Sequence, residues 1–273
     1  MSNNFYTCFL MGGLGNQMFQ IANCITRAKE NGTSVFLRKN SYTPLQGKNT
    51  SSYIDNIFRK LNFVDELPST LRISEKSFSF HSQPIPKLTN VEFYGYFQSL
   101  KYFQNNQEEI KNLFLPNPEF VKTYIGIFPQ LNEKNTVSIH VRRGDYTNNP
   151  HIHPSIGISY IKECLRIIGK FSHILVFSDD HDWCEKNIKE KNVTFVKLQN
   201  DWEELWVMSL CNHNIISNST FSWWASFLNQ NTDKKVFCPS VWFGPGGYQD
   251  YQDIYVEGWN KINTTLINGE LCF

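Results

Sequence analysis

From residue 136 onward, short apolar runs alternate with segments of helical periodicity, and this alternation restricts the chain more than any other feature does. Strands separated by helices need crossover connections, so the sheet they build is parallel. Residues 136–141 read as a strand, and Ile158, Ile161, Leu165 and Ile168 recur at helical spacing. Strand 173–178 ends in two aspartates, a short helix follows, and 193–197 is the next strand. Asp201 with Glu204 three residues on resembles a capping box for a helix over 202–211. Strand 213–217 leads through Asn-Ser-Thr into a helix bearing Trp223, Trp224, Phe227 and Leu228, and strand 235–238 comes next.

The chain opens in the same manner. Residues 5–11 are apolar, Gly-Gly-Leu-Gly-Asn-Gln (12–17) is a turn, and Met18, Ile21, Ala22, Ile25 and Ala28 mark a helix stopped by Asn31-Gly32. A strand over 34–37 completes a βαβ unit with parallel strands. Residues 40–90, which contain Pro44, Pro68, Pro84 and Pro86, follow no regular pattern. Residues 91–97 alternate as a strand and 99–114 read as one helix. Pro-Asn-Pro at 116–118 and a polar stretch at 130–135 suggest a boundary, so two α/β domains are expected, 1–133 and 134–273.

Hydrophobic residues make up 41% and charged residues 19%, enough to build a core and too apolar for disorder. A formal net charge of +1 argues against a nucleic-acid coat protein and against a strongly basic membrane-surface protein. Seven cysteines, an odd number with no Cys-x-x-Cys pair, point to a reducing compartment. The first residues carry no basic leader, and no apolar stretch reaches the ~18 residues of a membrane span. A cytoplasmic protein is expected, with peripheral attachment to the inner face of the membrane as the variant of that reading.

Four polar clusters each follow an expected strand: 12–17, Arg142-Arg143-Gly144-Asp145, Ser178-Asp179-Asp180 and 217–222. Open parallel sheets bind ligands beyond the carboxyl ends of their strands. Each cluster also has a purely structural explanation. The glycines suit a tight turn and match neither the dinucleotide fingerprint nor a P-loop. Ser219 or Thr220 would cap a helix, and a lone His140 fits a satisfied core histidine. The arginines resist this. Asp145 could partner Arg143, but that leaves the second guanidinium unexplained. Guanidinium forks match phosphate oxygens, so a diphosphate is the anion expected for Arg142 and Arg143.

Taken together, "GGLGNQMFQ", "GYFQSLKYF", "HVRRGDY", "FSDD", "NSTFSWWASFLN" and the Pro239-x-x-Trp242 pair resemble glycosyltransferase family 11, the α-1,2-fucosyltransferases, in its bacterial form. Two positions depart from the usual pattern, Ile21 after "MFQ" and Ala225 after "SWW", and both are packing positions. The resemblance implies a GT-B fold, two Rossmann-like halves facing across a cleft. It implies transfer of L-fucose from GDP-β-L-fucose to the 2-hydroxyl of a terminal galactose on a glycan, with inversion and with no metal or other cofactor. His140, Arg142, Arg143 and Asp145 would lie at the donor diphosphate as the catalytic group. Asp179 or Asp180 would read guanine, Ser217, Asn218, Ser219, Thr220 and Ser222 would form the phosphate and nucleoside loop, and Gly15 and Asn16 would reach the donor from the acceptor half. Asp145 is either the base or an orienter of arginine. Two alternatives remain: a metal-dependent GT-A enzyme using Asp180 and Asp182, and a non-catalytic sugar-binding module exploiting the 15% aromatic content. Residues 40–90 are expected to help shape the acceptor pocket.

Overall fold

The structure, a computed structural model, describes residues 4–39, 49–86 and 89–273. The chain divides into two compact units, Met1–Leu115 with Asp250–Val256, and Pro116–Gln249 with Glu257–Phe273.

In the first unit, β1 (Phe5–Cys8) leads into α1 (Leu14–Glu30), followed by β2 (Ser34–Val35), β3 (Leu37–Arg38), β4 (Phe63–Val64), β5 (Leu71–Ser74), β6 (Val91–Tyr94) and α2 (Gln107–Phe114). Four strands form a parallel sheet in the order β2-β1-β6-β5, and β3 pairs with β4 alone. The βαβ unit expected at the start is present: β1 and β2 pair in parallel across α1. Residues 40–48 and 87–88, part of the stretch assigned to the acceptor, lie outside the described residues. The single helix expected over 99–114 is instead two 3-10 turns, Leu100–Tyr102 and Gln104–Asn106, followed by α2. Adjacent Tyr102 and Phe103 are both buried, Tyr102 against Phe80 and Phe97 and Phe103 against Phe19. The two tight turns accommodate these neighbouring aromatics where one continuous amphipathic face does not.

In the second unit the elements are α3 (Pro118–Ile127), β7 (Val137–Val141), β8 (Ser155–Ile156), α4 (Ile158–Ile168), β9 (Ile174–Ser178), α5 (His181–Asn187), β10 (Val193–Val196), α6 (Asp201–Leu210), β11 (His213–Ile215), α7 (Thr220–Leu228), β12 (Val236–Pro239), β13 (Asn260–Ile262), β14 (Thr265–Ile267) and β15 (Glu270–Cys272). Six strands form one sheet in the order β10-β9-β7-β11-β12-β13, every pairing parallel. Counted by appearance that order is 3-2-1-4-5-6, the doubly wound arrangement whose ligand crevice lies where the winding reverses. The reversal falls between β7 and β11. β8, β14 and β15 form a small separate sheet that brings the last strand beside the connection after β7.

The expected boundary at 133/134 is displaced in two ways. α3 belongs to the second unit, because Phe120 meets Trp206 of α6 edge-on at 4.7 Å. The hydroxyl of Tyr124 also donates to Glu203 Oε1 at 2.6 Å. Residues 250–256 return to the first unit, where Asp250 Oδ2 accepts from Ser79 N at 3.1 Å and Asp253 Oδ2 from Phe80 N at 2.9 Å. The cap of α6 is shifted by one residue: Glu203, not Glu204, accepts from the backbone N–H of Asn200 at 2.8 Å, while Glu204 takes that of Leu198. All seven cysteines are unpaired and six are buried, as small core hydrophobes. Among the described residues no helix is long and apolar enough to cross a membrane.

Candidate functional site

β7 is buried along its whole length at the centre of the sheet, so the residues that follow it emerge at the winding reversal. His140 is its last inward polar side chain and is 6% exposed. Its Nδ1 lies 2.9 Å from both Ser217 Oγ and Ser222 Oγ, tying the end of β7 to the loop and helix that follow β11. Burial drives its pKa down to about 4, against the attraction of Asp179, so the ring is neutral at pH 7. In this geometry the Nδ1 of His140 is engaged by the two serines of the loop.

Beyond the strand the backbone turns sharply at Gly144, where a Cβ would lie 2.6 Å from Asp179 Oδ2. Only glycine lets the loop close on that carboxylate. Asp179 Oδ1 accepts the backbone N–H of Arg143 at 2.8 Å, and Oδ2 lies 2.8 Å from Arg142 Nη1. Asp145 Oδ1 accepts from Arg142 Nη2 at 2.6 Å, so Asp145 is the partner of Arg142 and not of Arg143. Arg143 has two carboxylates of its own, Asp180 Oδ2 at 3.1 Å from Nε and Glu270 Oε1 at 2.6 Å from Nη1, and its guanidinium lies over Trp183 at 4.4 Å. The structural explanation thus accounts for both arginines, which the sequence reading held it could not. What separates them is access. The Arg142 side chain is 35% exposed and Arg143 only 13%.

Asp180 caps α5, accepting the Trp183 N–H at 3.1 Å. It is thereby engaged by both Arg143 and the helix, while Asp182 is exposed two residues on. Among the described residues no group of three or more potential metal ligands converges. In the 217–222 loop, Ser217 and Ser222 are committed to His140, and Asn218 Nδ2 donates to the carbonyls of Pro154 and Trp242, both at 2.9 Å. Ser219 accepts the Phe221 N–H and caps α7. Thr220, half-buried at the first turn, is the member of the set with a surface to offer. Tyr146 donates to Asn218 O at 3.2 Å, and burial raises its pKa, so it stays protonated.

In the first unit, Gly15 and Asn16 lie within the first turn of α1 and not in the preceding loop. Gly15 is buried, and Asn16 Oδ1 accepts from Gln98 Nε2 at 2.9 Å. Gly12 holds a φ of +76° with Asn16 crowded against it. Several supports carried no sequence signal of their own. Gln20 bonds both the N–H and the C=O of Met11, and Gln17 Nε2 donates to Gly12 O, so two helix glutamines fasten the loop that precedes them. Glu75, its pKa raised by burial, accepts the N–H groups of Tyr96 and Phe97 beside Gln98. Glu270 joins the arginines from the far end of the chain. Glutamine in an amphipathic helix and glutamate in a short strand look like surface residues until the fold brings partners against them.

The chain matches the family model for Glycosyl transferase family 11 over residues 1–263. It is 31% identical over 271 residues to an alpha-1,2-colitosyltransferase of Escherichia coli, a match covering 86% of this chain and 91% of that protein. It is 28% identical over 287 residues to the O-antigen biosynthesis glycosyltransferase WbnK of Escherichia coli, covering 87% and 94%. Among solved structures, the fucosyltransferase NodZ from Bradyrhizobium is similar with a TM-score of 0.54 at 11% identity, over 84% of this chain and 93% of that one. At that identity the likeness concerns the fold, which is GT-B-like with two Rossmann-like α/β units.

Proposed function

The chain belongs to glycosyl transferase family 11, and from that premise we propose that it moves L-fucose from GDP-β-L-fucose to the 2-hydroxyl of a terminal galactose on a glycan or oligosaccharide, inverting the anomeric centre. The observation that carries this reading is the arginine loop at the winding reversal. Arg142 is fixed there by Asp145 and Asp179 while more than a third of its side chain remains accessible.

In such a transfer the bond from the sugar to the β-phosphate breaks and negative charge grows on the leaving diphosphate. A guanidinium fixed beforehand stabilises that charge more in the transition state than in the ground state. Arg142 has this task. Arg143, largely enclosed by Asp180, Glu270 and Trp183, fastens the loop to α5 and to β15. The fucosyl carbon becomes oxocarbenium-like, and the acceptor hydroxyl attacks the opposite face, losing its proton to solvent as the new bond forms and the bond to the β-phosphate breaks. Asp145 orients Arg142, which favours that role over the role of base. Thr220 and the first amides of α7 face the same reversal and suit the phosphates. Asp179 and Asp180 both have protein partners, so the geometry supports them as fasteners of the arginine loop in preference to readers of guanine. The reaction needs no metal, because Arg142 supplies the cation. The family match over residues 1–263 and the two α/β units leave no support for the single-domain GT-A reading or for the non-catalytic sugar-binding module.

One relative favours a second donor. Colitose is L-fucose without its 3-hydroxyl, and an alpha-1,2-colitosyltransferase matches most of this chain. Incubation with each GDP-sugar and a panel of galactose-terminated acceptors separates the two. NMR of the product should show an α-1,2-linked fucoside. A product formed only from the colitose donor assigns the second reading, and a β-linkage or a trapped enzyme adduct excludes inversion by single displacement.

A further inference from the structure

We infer that the first unit carries a separate carbohydrate subsite, a cavity beside α1 that takes the acetamido group of an N-acetylated sugar within the acceptor. The inference rests on the acceptor being a glycan, as proposed above. The cavity has a volume of about 210 Å³, room for on the order of seven waters at the liquid's share per molecule. Its lining is mixed: Phe80, Phe93 and Phe97 supply an aromatic patch among mostly polar and charged side chains. The carboxamide of Asn23 opens onto it. Asn23 is 2% exposed, and its buried Nδ2 has no hydrogen-bond partner among the described residues. A buried amide in that condition calls for a partner, and no neighbouring protein group provides one.

The chemistry of the lining narrows the ligand. Two cations border the cavity, but both are neutralised. Arg27 pairs with Glu30 at 2.9 Å, and Lys101 pairs with Asp253. An anionic ligand gains little there. The unpartnered Nδ2 is a donor, so it needs an acceptor. The carbonyl of an acetamido group supplies one together with a methyl for the phenylalanine rings, whereas a plain hydroxyl supplies an acceptor without the apolar contact. Asn23 lies two turns beyond Asn16 on the same face of α1, about 10 Å along the helix. The cavity therefore grips a sugar away from the hydroxyl that reacts. Its roof, the segment around Phe80, is pinned by Asp250 and Asp253 from the returning residues 250–256.

Saturation-transfer NMR on the intact protein, with N-acetylglucosamine and glucose as probes, reads the site. The acetamido methyl should take up the strongest saturation, and glucose should bind about tenfold more weakly or not at all. Asn23→Leu replaces the amide by an apolar group of similar size and should abolish that preference while GDP titrates unchanged. Ile85→Trp, placed on the roof, should block the cavity without touching α1 and serves if Asn23→Leu does not fold. Equal binding of the two sugars, no binding of either, or unchanged N-acetylglucosamine binding in a folded variant overturns the subsite. Failure of GDP to bind the wild-type protein instead overturns the transferase reading, so the two failures are told apart.

Discussion

Arg142 and Arg143 are neighbours in the chain with different partners and exposure, and substitution should separate them. Arg142→Ala should lower turnover by about 10²–10³, the scale for removing one fixed charge stabiliser. Arg142→Lys should restore little, since an ammonium cannot bridge two carboxylates and a phosphate as a planar fork does. Arg143→Ala, which frees Asp180 and Glu270, should reduce thermal stability more than turnover at saturating donor. Steady-state kinetics beside a melting curve decides, and a folded, inactive Arg143→Ala with an active Arg142→Ala would reverse the assignment. Asp179→Ala should weaken GDP and ADP binding by similar factors, because it loosens the loop and not a base contact; a selective loss of GDP in calorimetry would return Asp179 to guanine. His140 makes a pH prediction. Its pKa of about 4 in the fold lies below its free value of 6.5. Below pH 6.5 the unfolded chain binds a proton that the folded ring refuses. The stabilisation from this ring is therefore complete above pH 6.5 and is lost as pH falls towards 4. Between pH 7 and pH 5 it should cost about 2 kcal/mol. Chemical denaturation of His140→Asn should show a shallower decline than wild type, and parallel curves would remove the ring as the cause.

At the scale of elements, the sequence pattern succeeded where one helix or strand buries one face and erred where neighbours chose the geometry. β7, β9 and β11 lie where apolar runs placed them. The segment 99–114 carries helical spacing, yet Tyr102 and Phe103 each found separate aromatic partners and the chain took 3-10 turns. α3 follows the break at Pro116-Asn117-Pro118, and the rings of Trp202 and Trp206 with the carboxylate of Glu203 show that it belongs to the second unit. Phe120→Ala should therefore destabilise that unit by about 3 kcal/mol, the usual cost of removing a buried aromatic ring. Tryptophan fluorescence during denaturation reports it, since Trp202 and Trp206 flank the ring. An unchanged midpoint would mean that α3 docks without stabilising.

For the whole molecule, GDP binding should raise the melting temperature, because a ligand that binds only the folded chain adds about 2.7 kcal/mol at one hundred times its dissociation constant. ADP at the same concentration should raise it less, and equal shifts would mean that the base is not read. Treatment with EDTA followed by dialysis should leave turnover intact on the proposed role of Arg142 as the cation; loss of activity restored by Mn²⁺ or Mg²⁺ would contradict that role.

The alternation of strands and helices, the two α/β units and the placing of polar clusters after strands were all legible in the sequence, because each depends on periodicity over a few residues. So was the question that 142–145 raises, since two adjacent cations after a buried strand need an explanation wherever they occur. The tertiary structure alone decided the rest. It set the strand order that puts the winding reversal between β7 and β11. It brought Glu270 to Arg143 across 127 positions, and Ser217 and Ser222 to His140 across 77 and 82. It turned residues 250–256 back to the first unit. Such pairings are absent from local pattern because a side chain's partner is set by sheet register and crossover, and a carboxylate bound for a buried arginine looks in sequence like one bound for water.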